Sequence, residues 1–591
     1  MKEQVARQLV TYLEDRGVEY IFGLCGHTNI AVLAALEKSR IRFINTRHEQ
    51  IAAHAADGYA RAKHRTAVVL SHLGPGLTNA ATGVANAALD SVPLVVIAGD
   101  VPSHYYGKHP HQEVNLHADA SQSEIYRPFT KRVWRVERAD LLPEILEKAF
   151  LLAESGRPGP VLVSVPMDIF SMEVDVALFE RLKRNTKSVH KPSIDEEAAA
   201  RIVKLLIEAT NPLIYAGGGI VLADAAPELQ AFVDHMGIPV AHSLMGKGVL
   251  PDDHPLTLGM TGFWGTRFVN ENCRAADYVL GLGTRFAEAD CSSWDPRFTF
   301  NFPPTRLIHI DIDPSEIGRN YPTEIGAVAD LKQALTVLGR VAKRMLPAGR
   351  RNERLVNEIA DYRAEFTRGN EAHMRSDAYP MRPERILADV REVAPRDVLL
   401  TTDVGWNKNG VGQQFPVYTP GSILTPGGYA TMGFGAPAAI GAKLACPDKV
   451  VIALVGDGGF GQNPSVLATA VEQDVAVIWI VMNNYAYGTI AGLQMAHYGT
   501  SFGCVFRRDG RPYSPDFAAV AHAYGAEGVR ISSAEQFRPA LQHAIESNRP
   551  FVIDVAMQNE PVPTAGHWNI TDIYSPGREA SHVSVDYALA K

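Results

Sequence analysis

The chain has 591 residues, 46% hydrophobic and 21% charged, with a formal net charge of −8. That length suits three or four domains of ~150 residues each, and a mildly acidic chain with no basic block excludes nucleic acid as an expected partner. The five cysteines (Cys25, Cys273, Cys291, Cys446, Cys504) form no Cys-x-x-Cys pair, which argues against a disulfide framework or a zinc site and for a reducing compartment.

In chain order, "MKEQVARQLVTYLEDRG" reads as an amphipathic helix carrying acids, unlike a signal or transit peptide. No apolar run approaches the ~18 residues of a membrane span, so no membrane contact and a cytoplasmic location are expected. "TRHEQIAAHAADGYAR", from Thr46, puts Glu49, Ala52, Ala53, Ala56 and Ala60 on one helical face. Such a face lets a backbone or a ligand come close. Glu49 has two readings: an acid suited to the helix dipole in the first turn, or a buried carboxylate with a task, costly unless paired.

"RTAVVLSHLGPG", "VPLVVIAGD" and "GPVLVSVP" read as buried parallel strands between helices, giving a first α/β domain over 1–182. "RLKRNTKSVHKPSIDEEA" is a polar linker. "PLIYAGGGI", "IPVAHS", "YVLGLGTRF" and "RLIHIDID" are strands of a second α/β domain, 192–345, and a charged, partly helical connector follows to about Arg382. "DVLLTTDVG", "KVVIALVGDGGF", "VAVIWIVMNN" and "PFVIDVAM" give a third, 375–557, and 558–591 is a tail. The expected fold class is α/β, with three doubly wound parallel-sheet domains and ligands at the carboxyl ends of strands.

The chemistry concentrates in the third domain. A strand ends at Gly456-Asp457-Gly458, and the next strand ends 27 residues later at Asn484. Adjacent parallel strands would bring Asp457 and Asn484 side by side. One carboxylate and one amide oxygen suit Mg²⁺ better than zinc, and Gly456, Gly458 and Gly459 let N–H groups approach a phosphate.

Together with "RHEQIAAHAADGYAR", "GPGLTNAATGVANAALDSVPLVVIAGD", "LMGKG", "HIDIDPSEIG" and "TPGGYATMGFGAPAAIGA", this pair resembles the thiamine diphosphate enzymes, in their acetohydroxyacid synthase and pyruvate oxidase branch. The resemblance runs to about Met557. It implies pyrimidine-binding, central and diphosphate-binding domains in that order. It implies Mg²⁺ ligation by Asp457, Asn484 and the Ala486 carbonyl, with Tyr487 and Gly488 beside them. Val404, Gly405, Trp406 and Asn407, with Gly458, Gly459 and Phe460, match diphosphate-side loops. Met432 matches the side chain that holds the cofactor bent, and the Ala430 carbonyl its amino-group acceptor. Glu49 matches the glutamate that hydrogen-bonds the pyrimidine nitrogen and starts proton exchange. That glutamate comes from a second subunit in the family, so a homodimer or homotetramer is implied.

The pattern departs at "GLCGHTNIA", with His27 where proline-glycine-glycine is usual, and at "VLSHLGPG", with His72. Two histidines there could move protons at the substrate; the alternative is structural. Gln112 matches an active-site glutamine of the synthases, and Lys131 sits where that family also keeps a lysine, with a solvated lysine as the alternative. Leu493 stands where those synthases carry a tryptophan that selects the second 2-oxo acid, and Val466 where a glutamate is common. The implied activity is decarboxylation of a 2-oxo acid and transfer of its acyl group to a carbonyl acceptor. The alternatives are a carbon–carbon lyase on an acyloin, a cyclic dione or a 2-hydroxyacyl-CoA, and an FAD oxidase. The central domain could hold FAD, ADP or part of coenzyme A. The tail is either a lid over the cofactor or an ordinary packed terminus. Arg507 and Arg508 are either anion contacts or a solvated loop.

Overall fold

The computed structural model describes residues 1–115, 121–181 and 189–574. Three six-stranded sheets follow one another along the chain, all parallel and flanked by helices. In the first, Tyr20–Gly23 (β1), Arg42–Asn45 (β2), Ala67–Ser71 (β3), Leu94–Asp100 (β4), Val133–Arg135 (β5) and Val161–Pro166 (β6) lie in the order β2-β1-β3-β4-β6-β5. In the second, Pro212–Ala216 (β7), Val240–His242 (β8), Thr257–Met260 (β9), Tyr278–Leu282 (β10), Arg306–Asp311 (β11) and Ile325–Val328 (β12) lie in the order β9-β8-β7-β10-β11-β12. In the third, Leu399–Thr402 (β13), Ile423–Leu424 (β14), Val451–Gly456 (β15), Ile478–Asn483 (β16), Glu527–Ile531 (β17) and Phe551–Ala556 (β18) lie in the order β14-β13-β15-β16-β18-β17. The first and third sheets therefore share one topology. The second has the 3-2-1-4-5-6 order of a dinucleotide-binding sheet.

Among the helices, Glu49–Lys63 (α1) follows β2 and Pro75–Leu89 (α2) follows β3. Glu353–Met374 (α3) connects the second and third sheets and is followed by Pro383–Val393 (α4). Trp406–Gln414 (α5), Gly435–Ala445 (α6) and Gly488–Tyr498 (α7) belong to the third. Helices α1 and α6 are equivalent in the two like sheets, and they pack on each other. A methyl group at Gly58 would overlap the Ala438 carbonyl, and one at Gly441 the Ala55 carbonyl. One apolar core runs through this contact from the first sheet to the third.

The alanine face of α1 is thus used up by helix packing. Ala52, Ala53 and Ala56 are fully buried, and Ala53 meets Gly83 of α2. No helix among the described residues is long and apolar enough to cross a membrane. The polar linker lies partly, and the tail beyond residue 574, outside the described residues.

Candidate active site

The carboxyl ends of β13, β15 and β16 meet at one edge. Asp457 follows β15 and Asn484 follows β16, and these strands pair in register from Ile452 with Ile478 to Gly456 with Met482. The expected juxtaposition is present. Asp457 is buried, and desolvation lifts its carboxyl to about 7 against the pull of nearby backbone N–H groups, including those of Gly458, Tyr485 and Asn484. The Asn484 Nδ2 donates to Asn559 Oδ1 at 3.1 Å, which points its amide oxygen the other way. A methyl group at Gly488 would crowd both amides, at 2.5 Å from Asn484 Nδ2 and 2.6 Å from Asn559 Oδ1. Ala486 is bridged to Val505, and Tyr485 takes a left-handed φ of 58°. This donor set of hard oxygens fits Mg²⁺: a divalent cation would keep the buried Asp457 ionised, and phosphate oxygens would complete an octahedron.

Loops converge on the same edge. The point a Gly458 methyl would occupy lies 2.6 Å from Tyr487 Cε1 and 3.4 Å from Met432 Cε, so these three residues wall one space. Gly405 (φ 106°) caps α5, and Asn407 Oδ1 lies 3.6 Å from its methyl point and 3.9 Å from that of Gly456. Asn407 Nδ2 is fixed on Leu454 O. Asp403, fully buried, organises the loops. Its carboxylate accepts from Val404 N (2.8 Å), Gly433 N (3.1 Å) and Gly435 N (2.9 Å), tying the 404–407 turn to the 430–435 turn that carries Ala430 and Met432. Ala430 also has a left-handed φ, 50°.

The second cluster is on the first sheet. Glu49 opens α1 and is 6% exposed; His48 caps the helix through Nδ1, and Asn79 Nδ2 donates to Glu49 Oε2 at 3.0 Å. A methyl at Gly76 would lie 3.0 Å from His72 Cβ and 3.3 Å from Glu49 Oε1, which places the two residues around one point. His72 is clamped: Nδ1 contacts Thr28 Oγ1 at 2.7 Å and Nε2 contacts Gln112 Oε1 at 2.8 Å. Gln112 Oε1 can only accept, so Nε2 carries the proton and the Thr28 hydroxyl donates to Nδ1. The His27 ring is 4.6 Å from that of His72 and 6.0 Å from that of His111. Desolvation, then the His72 and His111 charges, hold His27 below the usual histidine pKa.

Glu49, His27, His72 and Gln112 therefore form one group, and the segments Gly405–Asn407, Ala430–Met432, Gly456–Gly458 and Asn484–Gly488 form another, whereas Phe460 and Val466 are buried in the apolar core. The named partners of each group come from its own sheet unit. Asp403, Asn79, Thr28, His111 and Asn559 escaped the sequence reading, although Asp403 lies inside the quoted "TTDVG". Lys131 serves structure: its Nζ donates to Leu152, Ser155 and Arg157 carbonyls at 2.5, 2.7 and 2.8 Å, closing the C-terminal end of the later helix Leu142–Glu154. Arg507 and Arg508 sit in an exposed two-stranded hairpin.

Beneath the third sheet's loops, Lys408 of α5 is buried among acids of all three units, Asp90, Asp290 and Asp403. Burial holds its pKa below the usual lysine value, and these charges offset that only in part. Asp90 also accepts from Arg61, Gly427 N and Gly428 N. At the switch point of the second sheet, Gly217 N and Gly219 N donate to Leu282 O and Gly283 O. The strand order there suits an adenosine diphosphate group, but these two glycine N–H groups are already engaged. The described part of the tail crosses the second unit, with Trp568 beside Phe263 and Trp264, and reaches α7 through Tyr574 against His497.

Three family models match in order: "Thiamine pyrophosphate enzyme, N-terminal TPP binding domain" over 3–121, "central domain" over 199–338 and "C-terminal TPP binding domain" over 403–555. The chain is 36% identical over 589 residues to a probable acetolactate synthase large subunit of Methanocaldococcus jannaschii, covering 97% of this chain and 95% of that one. It is 34% identical to the acetolactate synthase large subunit of Corynebacterium glutamicum (97% and 90%). With the large subunit of acetolactate synthase isozyme 3 of Escherichia coli the identity is 32% (93% and 94%). The three domain matches in sequence order, and similarity along nearly the whole length, mean that the chain belongs to the thiamine pyrophosphate enzyme family.

Proposed function

We propose that the protein is a Mg²⁺- and thiamine diphosphate-dependent carboligase that decarboxylates a 2-oxo acid and joins its acyl carbon to a carbonyl acceptor, as an acetolactate synthase does. The observation that carries it is the pair of complementary half-sites at strand ends: Glu49 on Asn79 in one, and Asp457 beside Asn484 in the other. The cofactor supplies a stabilised carbanion equivalent at the substrate's carbonyl carbon. The rest is this chain's work. Asp457, Asn484 and the Ala486 carbonyl hold the metal, and Val404 to Asn407 with Gly456, Gly458 and Gly459 receive the diphosphate. Met432, Tyr487, Gly488 and the Ala430 carbonyl would line the middle of the cofactor, and Glu49 would hold a proton toward the pyrimidine nitrogen, out of water. On the resemblance to the family, in which the glutamate and the diphosphate site come from different subunits, a cytoplasmic homodimer or homotetramer with shared sites is the proposed assembly. No step uses a flavin.

A second reading, a carbon–carbon lyase acting without decarboxylation, is favoured by the His27, His72 and His111 cluster. One experiment separates the two: a panel of 2-oxo acids, acyloins, cyclic diones and 2-hydroxyacyl-CoAs scored for CO₂ and carbonyl products. CO₂ release from at least one 2-oxo acid is expected, cut about 10²- to 10⁴-fold by Glu49→Gln; release from none overturns the first reading.

A further inference from the structure

A cavity of about 490 Å³ lies where α3 crosses the seam between the second and third units, well away from the strand ends described above. Tyr362 and Phe366 of α3, Leu387 of α4, and Phe415 and Tyr418 after α5 give it an apolar, aromatic wall. Its lining carries three cations, Lys247, Arg363 and Arg391, and four acids, Asp252, Asp253, Glu384 and Glu392. Asp252 is paired with Lys247 at 2.7 Å, Asp253 with Arg396, and Glu392 with Arg538 at 2.6 Å. Burial raises the Glu384 carboxyl, favouring its neutral form. That leaves Arg363 and Arg391.

Neither guanidinium has a carboxylate in contact. Arg363 Nη2 donates to His254 O (2.7 Å) and Thr257 O (2.5 Å). Arg391 Nη2 donates to Ala394 O (2.9 Å) and Pro395 O (2.5 Å), and its guanidinium lies 5.3 Å from the Phe415 ring centre and 5.2 Å from that of Tyr418. Desolvation pulls both below the usual arginine pKa. The Asp252 and Asp253 charges reach Arg363 without touching it, whereas Arg391 faces a further cation, Arg396; half-buried cations with only neutral carbonyls in contact are costly to hold. A guanidinium fork matches a planar anion, both guanidinium side chains line this one cavity, and the cavity is far larger than an inorganic ion needs.

We infer that this cavity is an accessory binding site for an organic carboxylate with an apolar body, its carboxylate held between Arg363 and Arg391 and its body against Tyr362, Phe366 and Phe415. The test is titration of phenylacetate into the full chain loaded with thiamine diphosphate and Mg²⁺, read by calorimetry and thermal shift. Phenyl phosphate and inorganic phosphate serve as phosphoryl probes and benzylamine as the opposite charge. Thr367, exposed on α3, lines the cavity, so Thr367→Trp fills it without touching the charge network.

Saturable phenylacetate binding is expected, weakened about tenfold or more in Arg391→Gln and abolished in Thr367→Trp. Failure of phenylacetate to bind overturns the inference. So does binding unchanged in both variants, which would place it at another site, equal binding of benzylamine, or binding of the phosphoryl probes alone.

Discussion

His54 sits on α1, five residues after Glu49, and is completely buried. Among the described residues neither ring nitrogen has a hydrogen-bond partner, and the ring stands edge-on to Phe434 at 5.5 Å. Burial, with the Arg61 charge, lowers its pKa from 6.5 to about 3. The unfolded chain takes up this proton below pH 6.5, whereas the folded chain refuses it until about 3. His54 is therefore harmless above pH 6.5 and weakens the fold progressively as pH falls toward 3, by at most about 1.4 kcal/mol per unit. Urea melts between neutral pH and about pH 4 should show a shallower acid loss in His54→Leu than in the wild type. At this scale the sequence was uneven. Glu49, Asp457 and Asn484 could be found because motif and spacing mark them. Asp403, Asn79 and Thr28 could not, because each acts by orienting a backbone or side chain brought near only by folding.

At the scale of elements, the interior strands were legible and the borders were not. Every interior strand except Tyr20–Gly23 shows as an apolar run, whereas all six edge strands (β2, β5, β9, β12, β14 and β17) were missed. An edge strand is covered on fewer sides and is often short, so it carries less of the Val/Ile/Leu signal. The close α1–α6 contact was hidden as well, because an alanine face does not say what will lie on it. Gly441 carries this contact. Alanine would favour the helix by about 1 kcal/mol, but its methyl would overlap the Ala55 carbonyl and press within 2.5 Å of Tyr59 N. The clash should win, so Gly441→Ala is expected to destabilise by about 2 kcal/mol or more, read as a lowered urea midpoint.

For the whole molecule, the proposal of shared sites makes a sharp prediction. Mix Glu49→Gln chains with Asp457→Asn chains, each inactive alone. If a site takes Glu49 from one subunit and Asp457 from its partner, every mixed dimer holds one intact site, and about one quarter of wild-type activity should return after random reassembly. If both residues of a site come from the same chain, none returns. Motion is the remaining question at this scale, and the buried Lys408 bears on it. Its Nζ donates to Gly427 O in the third unit, where Asp90 of the first unit accepts from Gly427 N and Gly428 N, so a hinge that parted these two units would strip buried groups of their partners. With Arg285 of the second unit on Leu89 O of the first, these bonds favour motion of loops over parting of whole units. Loop motions that admit a substrate run on a microsecond-to-millisecond timescale.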